Sequence, residues 1–197
     1  MFGRLFKKKH PSPPSEFLVA RLNAKLQPLH SGEFFEDHLD AVLKKGSSGE
    51  VSGGGTMQAK SGEIEYCDIE IQVPTSSPSV ISLVVTTLES LGAPKGSMLT
   101  IEATGEEIAF GAAEGLAVYL NGTDLTPETY RDCDSNYVYA EFGRLLEDEG
   151  RVLSYWQGPT ETALYMYGRS FDDMNRRLSE FVASYPLCAQ CRIEQIA

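Results

Sequence analysis

Two cysteines near the C-terminus have the spacing that most directly suggests chemistry. Cys188 and Cys191 are separated by two residues, as in half a zinc site or a redox pair. Zinc needs two further ligands, but Cys67 and Cys133 stand alone and all three histidines precede residue 39. The pair also follows a Tyr-Pro break and enters a predicted strand, where residues i and i+3 point to opposite faces. We therefore expect structural cysteines and no cofactor, with a metal site at Cys188 and Cys191 or a redox pair as alternatives.

A second group of candidates is a run of carboxylates along one predicted strand. Two carboxylates on one strand face could bind Ca²⁺ or Mg²⁺ or perform acid–base chemistry. The solvated face of an antiparallel sheet has the same pattern, and no nearby histidine completes a catalytic set. We therefore predict no catalytic residues and keep this segment as a candidate binding region. Its candidate residues are Glu63, Glu65, Tyr66 and Asp68.

Aromatic side chains form a third group, on two neighbouring predicted strands close to the C-terminus. Tyr155 and Trp156 lie on one strand, while Tyr165 and Tyr167 share a face of the next. Such residues bury a large area with little loss of entropy and are common at interfaces. The alternative is core packing against the helix that begins near Phe171. We retain all four as candidate binding residues.

The run Gly53-Gly54-Gly55-Thr56 is similar in composition to a phosphate-binding loop. Nucleotide-binding loops lead into a helix and carry a lysine beside the Ser or Thr. This run leads into a predicted strand and has no such lysine. We therefore predict a turn or a distorted strand. The glycine-rich run and the Glu65–Ile71 segment that follows resemble bacterial cytosolic proteins, and that resemblance implies no function.

The elements around these residues form a pattern that occurs twice. In each copy an alternating segment precedes a Ser-capped amphipathic helix, a proline-containing break and a short strand, and such repetition indicates duplicated architecture. The predicted fold is α+β, with duplicated ββαβ modules of the split β-α-β, ferredoxin-like type, an antiparallel sheet and helices on one face. The predicted divisions are a basic, proline-rich flexible tail (1–15), a helical segment (16–48), the first module (49–105), a hairpin and helical connection (106–149) and the second module (150–197).

Four local predictions accompany this division. A helix is expected from Ser31, as its N-cap, to Lys45, with Gly46 ending it. Two strands around Gly111–Gly115 are expected to form a hairpin. A further helix is expected over residues 136–149. A change in alternation near Tyr66 and Cys67 predicts a β-bulge or a strand buried on both faces there.

Charge divides the chain and limits its partners. Residues 1–25 carry six basic groups and one acid, whereas the rest carries 11 basic and 27 acidic residues, a net charge of −16. Because nucleic-acid affinity depends on Lys and Arg displacing counterions, an acidic body disfavours direct nucleic-acid binding. The chain has neither a secretion signal nor a long apolar run, so we expect a cytoplasmic protein without stable membrane association.

Three classes of function remain open from the sequence. The first is a non-catalytic, acidic interaction or regulatory protein, comparable to immunity proteins or inhibitors. Its expected partner is a protein, and an acidic body suits a basic one. The second is a small-ligand binder or enzyme that uses the cleft between the modules, with Glu63, Glu65, Tyr66 or Asp68 as polar groups. The third is a metal protein organised by Cys188 and Cys191. We favour the first, because no catalytic constellation is recognisable.

Overall fold

The structure is a computed structural model and describes residues 15–197. The basic, proline-rich tail expected over residues 1–15 therefore lies outside the described residues except for Ser15. Among the helices between residues 15 and 197, none is both long enough and apolar enough to cross a membrane.

Both sheets in the described part of the chain consist of antiparallel strands. Within the described residues the strands are β1 (Glu16–Leu22), β2 (Glu50–Gln58), β3 (Ile64–Val73), β4 (Ser97–Ile101), β5 (Glu106–Phe110), β6 (Glu114–Asn121), β7 (Gly150–Gln157), β8 (Glu161–Gly168) and β9 (Arg192–Gln195). The first sheet has the order β2-β3-β1-β4-β5 and the second the order β7-β8-β6-β9.

Helices connect the strands in the same order in both halves. They are α1 (Pro28–Ser31), a π-helical turn (Gly32–Glu36), α2 (Asp37–Lys45), α3 (Pro78–Ser90), α4 (Pro127–Asp132), α5 (Ser135–Leu145), α6 (Phe171–Ser184) and a 3₁₀ turn (Pro186–Cys188). As the sequence predicts, Ser77 and Ser170 cap α3 and α6, because their side chains accept hydrogen bonds from the backbone N–H groups of Val80 and Asp173.

The fold is α+β and duplicated, and each repeat is longer than the predicted ββαβ unit. In both sheets a strand from earlier in the chain lies between the second and last strands of that unit: β1 between β3 and β4, and β6 between β8 and β9. Each half is thus a β-α-β-β-α-β unit of ferredoxin-like topology. From here on, the first module is residues 16–101 and the second module is residues 114–195, in place of the predicted 49–105 and 150–197.

The expected helical segment 16–48 is wrong at its start. Residues 16–22 form β1, whose buried residues Leu18, Ala20 and Leu22 alternate with more exposed ones. This period of two is the strand period. The helix begins at Pro28, before the expected Ser31, because proline is pre-organised for the first helical position. Ser31 is instead buried within the helical run, which ends at Gly46 as predicted.

The expected hairpin around Gly111–Gly115 is also wrong, although both of its strands exist. Strand β5 pairs with β4 in the first sheet, whereas β6 is an inner strand of the second sheet. Gly111 has a φ of +96°, and a Cβ there would collide with the carbonyl of Pro94. That left-handed turn sends the chain away from the first sheet. The helix expected over 136–149 ends at Leu145, and its cap is Asp134.

The glycine run 53–55 lies within β2 and forms no phosphate loop. The register of β2 against β3 shifts between Val51 and Gly53 and again between Met57 and Gln58, where Tyr66 and Ile64 are the partners. The second shift leaves Glu65 as the extra residue, one position before the bulge predicted near Tyr66. A distorted strand therefore accounts for the glycines, as the sequence predicts.

Helices cover one face of each sheet. Side chains of α2 and α3 pack on β1, β3 and β4, and those of α5 and α6 pack on β6 and β8. The other face of the second sheet packs against the first module, so Tyr119, Tyr165 and Tyr167 belong to the first module's core cluster. The two halves therefore share one core cluster, while a second cluster lies between the second sheet and its own helices.

Candidate functional site

The helix-free face of the first sheet is open to solvent, and we call it the open face. The strand register places on it the residues that alternate with the buried core positions. Its central residues are Phe17, Val19, Arg21, Tyr66, Asp68, Glu70, Met98, Thr100 and Glu107. The sequence marked Tyr66 and Asp68 as candidates, but it gave no reason to place β1 beside them, so Phe17, Val19 and Arg21 were missed.

An ion pair organises one side of the open face. Arg21 donates from Nε to Asp68 Oδ1 at 2.9 Å and from a terminal nitrogen to Asp68 Oδ2 at 3.2 Å. The same guanidinium lies 4.0 Å from the centroid of the Tyr66 ring, within the range of a cation–π contact. The hydrogen bonds to Asp68 raise the pKa of Arg21. Arg21 is therefore engaged by its own sheet.

The carboxylates of Glu70 and Glu107 leave the open face with unbalanced negative charge. Both side chains are exposed, and neither forms an ion pair within residues 15–197. Exposed apolar side chains lie at the two ends of this face: Phe17, opposite Gln72, is 39% exposed, and Met57, opposite Tyr66, is 46% exposed. A face that carries both carboxylates and exposed apolar side chains is suited to a basic, partly apolar protein surface.

A second polar site lies between the modules and is centred on Glu63, so we call it the Glu63 cluster. Its carboxylate oxygen Oε1 accepts hydrogen bonds from Tyr119 and Tyr165, both at 2.8 Å. Lys25 Nζ lies 2.9 Å from the same oxygen. The Lys25 backbone N–H also donates to the Tyr167 hydroxyl at 2.7 Å. Lys25 and Tyr119, which the sequence did not mark, complete a cluster containing three of the predicted binding residues.

The electrostatics of the Glu63 cluster favour a fixed charge state. Burial raises the pKa of Glu63, but hydrogen bonds from Lys25, Tyr119 and Tyr165 outweigh it and leave the pKa below its ordinary value of 4.5. Burial, followed by the bond to Glu63, raises the pKa of both tyrosines. The carboxylate is thus ionised and the phenols neutral near pH 7. A carboxylate so stabilised is a poor general base, and its evident role is to join the modules.

The remaining aromatic candidates lie at the border between the modules. Trp156 is half-buried and packs against the shared core. Tyr155 is 44% exposed, and its backbone carbonyl accepts a hydrogen bond from the Gln27 side chain at 2.9 Å. Tyr165 and Tyr167 contact the first module rather than the helix beginning at Phe171, which belongs to the other core cluster. Glu65 is exposed at the bulge of β3.

The two cysteines of the C-x-x-C motif lie in a turn that precedes β9, not on a strand as expected. Cys188 ends the 3₁₀ turn, and the Cys191 N–H donates to its carbonyl at 3.1 Å. Burial raises the pKa of Cys188 to about 12 and also raises that of Cys191. Both are therefore protonated thiols at neutral pH. Across the described part of the chain, no group of three His, Cys, Asp or Glu side chains could hold a metal ion.

A groove of about 730 Å³ lies between the modules. It runs between the end of α3 and the start of β7, and its charged residues include Glu89, Arg151 and Arg169. Arg151 donates to the carbonyl of Leu91 at 2.9 Å, while Arg169 pairs with Glu149 at 3.0 Å. Of the predicted binding residues, Tyr167 lines the groove, whereas Glu63, Glu65, Tyr66 and Asp68 do not.

Comparisons with known proteins leave the function open. No protein-family model matches the chain, and no curated protein is similar to it in sequence. The first two RRM domains of yeast poly(U)-binding protein align with 91% of this chain and 99% of that one, at 14% identity and a TM-score of 0.27. A putative glycine cleavage system transcriptional repressor aligns with 92% of this chain and 96% of its own, at 15% identity and a TM-score of 0.28.

A third structure is a putative monooxygenase from Fusobacterium nucleatum. It aligns with 92% of this chain and 90% of its own, at 11% identity and a TM-score of 0.32. These three scores are too low for the likenesses to support any function. The functional argument therefore depends on the chain's own surfaces.

Proposed function

We propose that this is a non-catalytic interaction protein that presents the open face of its first sheet to a basic protein partner. The observation that supports the proposal is an exposed sheet face on which Glu70 and Glu107 form no ion pair with described residues and which also exposes apolar Phe17 and Met57. Complementary charge increases association rates and suppresses wrong partners, whereas apolar area provides much of the affinity. A regulatory protein that works by binding needs no more chemistry than this.

The second module supports the same interpretation, because its corresponding face is already used for protein contact. There the helix-free face is buried against the first module through Ala117, Tyr165 and Tyr167. The helix-free face of this fold can therefore accept a protein surface when its residues suit that surface. In the first module the residues suit a basic one. The same carboxylates would repel a nucleic-acid backbone, so we retain the prediction that nucleic acid is not bound directly.

The experiment is an affinity capture from the cells that express the protein, using three baits. They are the unaltered chain, the variant Glu70→Lys/Glu107→Lys and the control Glu147→Lys/Glu180→Lys. The control makes the same change in charge at exposed positions of the second module. We expect a protein that the unaltered chain and the control retain, that high salt releases, and that the open-face variant loses. Equal retention by all three baits would contradict the proposal.

A small-ligand function is the second candidate, and the groove between the modules is the observation that favours it. Ligands often bind at such boundaries. The test is a thermal-shift screen of metabolite-sized compounds on the unaltered chain and on Ala112→Trp, which places a bulky side chain at an exposed lining position. A compound that stabilises only the unaltered chain would favour this function.

A further inference from the structure

The edge strand β2 is exposed along most of its length. Six of its nine residues are exposed, three are half-buried and none is buried. The beginning of the edge is closed, because the Val51 N–H donates to Asp40 Oδ1 of α2 at 3.0 Å. From Gly53 to Met57 the strand has no lysine or proline, which are residues that commonly protect sheet edges from further pairing.

The glycines of β2 bring two carboxylates close to this edge, one on each face of the sheet. A Cβ placed on Gly53 would lie 3.3 Å from Glu70 Oε2, on the open face. A Cβ placed on Gly54 would lie 3.4 Å from Glu36 Oε1, on the helix face. Successive side chains of a strand point to opposite faces, so the lack of side chains at Gly53 and Gly54 leaves one carboxylate near the edge on each face. At Gly54 the carbonyl oxygen of Asp68, 2.8 Å from the Cβ position, also excludes a side chain.

We propose that the edge Gly53–Met57 accepts an extended basic segment of the partner as an additional antiparallel or parallel strand. Backbone hydrogen bonds to a free edge provide affinity in such strand addition, and side chains provide specificity. Two consecutive basic residues in the added strand would point to opposite faces and meet Glu70 and Glu36. This inference rests on the proposed function and names the structural element through which a basic partner is held.

Charge distinguishes this occupant from a second copy of the chain. A dimer formed through β2 would bring together two bodies of net charge −11, and like charges at close range oppose association. A basic segment removes this repulsion. Lys7, Lys8 and Lys9 of the same chain have the required chemistry, so the experiment must include a chain that lacks residues 1–14.

The probe is a labelled peptide, Thr-Val-Lys-Arg-Val-Thr, titrated into the full chain at low salt. Two matched peptides carry backbone N-methyl groups, one on the odd residues and the other on the even residues. Since alternate N–H groups of an added strand face its neighbour, we expect one methylated peptide to lose at least tenfold in affinity and the other to bind normally. Amide hydrogen exchange should slow within 53–57 when the unmethylated peptide binds.

Variants of the protein test the same backbone hydrogen bonds by changing β2 instead of the peptide. Adjacent N–H groups of a strand point in opposite directions, so one of Gly55→Pro and Thr56→Pro removes only an outward donor. Whichever of the two keeps the melting temperature should bind the peptide at least tenfold more weakly. Glu36→Gln, which keeps an acceptor for the Ser31 hydroxyl at 2.7 Å, should weaken binding about threefold or more, whereas Glu180→Gln should not.

Several outcomes would overturn the inference. They are equal affinity for both methylated peptides, absence of peptide binding, or unchanged exchange at 53–57. Stronger peptide binding after removal of residues 1–14 would instead identify the chain's own basic segment as the occupant, and concentration-dependent dimerisation through β2 would identify a second copy. If affinity capture still depends on Glu70 and Glu107 while these edge tests fail, the proposed function stands and only the strand addition is wrong.

Discussion

The two modules share one topology but use the helix-free face of their sheets in opposite ways. In the first module this face is open and carries Arg21, Asp68 and Glu70. In the second module the corresponding strands β6 and β8 carry Ala117, Tyr165 and Tyr167, which are buried against the first module. The backbone framework thus does not decide whether a sheet face is core or surface. Side-chain type decides it, through the cost of burying charge without a partner.

The helix-free face of the second sheet, which we call the covered face, shows what such a face needs in order to become an interface. Small residues such as Ala117 and Ala163 allow close approach, and tyrosines fill the space while their hydroxyls find hydrogen-bond partners. The Glu63 cluster supplies those partners from the first module. Among residues 15–197 the open face has no such charged partners for Glu70 and Glu107, so under the proposed function its complement comes from another molecule.

The largest loss of stability is expected when a tyrosine of the covered face is truncated. Tyr165→Ala removes a ring that is 1% exposed, and such a truncation costs about 3–5 kcal/mol. At about 2–4 °C per kcal/mol for a chain of this size, the melting temperature should fall by roughly 6–20 °C. Tyr66→Ala on the open face is the matched control and should cost about 1 kcal/mol or less. Equal losses would mean that the two faces do not differ as described.

The sequence could predict the repeated C-terminal part of each module because that part consists of local signals. Ser77 and Ser170 are helix caps followed by amphipathic helices, and β3 and β8 precede them at similar distances. It could not predict that β1 and β6 insert between distant strands, since pairing across 50 residues depends on tertiary packing. The strand alternation of Leu18, Ala20 and Leu22 was the available signal for β1.

The candidate site was partly predictable for the same reason. Glu63, Tyr165 and Tyr167 were candidates because of residue type and strand parity, and the structure brings them together with Lys25 and Tyr119. Their joint burial between modules could not be predicted, because it depends on how one module packs on the other. The separation of Tyr66 and Asp68 onto the open face follows from the bulge at Glu65, which reverses side-chain parity along β3.

Substitution of the two cysteines tests whether the second module depends on a metal. Cys188 is 2% exposed within the core of that module. Cys188→Ser should therefore cost about 1–3 kcal/mol if the hydroxyl lacks a partner. We expect no stoichiometric zinc in the purified protein by elemental analysis, and no change in partner capture for Cys188→Ser/Cys191→Ser. About one zinc per chain, lost in the double variant, would support a metal centre instead.

A further prediction concerns the pH dependence of the contact between the modules. Because the pKa of Glu63 is lowered in the folded state, its contribution is present above the unfolded value of 4.5 and is lost as the pH falls through the folded pKa. Glu63→Gln should cost about 1–3 kcal/mol near pH 7. The gap between the two unfolding curves should narrow below about pH 4.5. A gap that stays constant down to about pH 3 would contradict an ionised Glu63, and Glu180→Gln provides the control.

The smallest expected effect is on the open face, where Glu70→Gln/Glu107→Gln should leave the free energy of unfolding within about 0.5 kcal/mol. Both side chains are exposed and form no ion pair with described residues, so their loss breaks no ion pair there. The change reduces the negative charge by two, so any change at low salt should be a slight stabilisation that disappears at about 0.15 M salt as screening increases. Urea unfolding at the two salt concentrations measures it. A loss above about 1 kcal/mol would mean that these carboxylates stabilise the fold itself. That result would contradict the proposal that the open face serves to bind a partner.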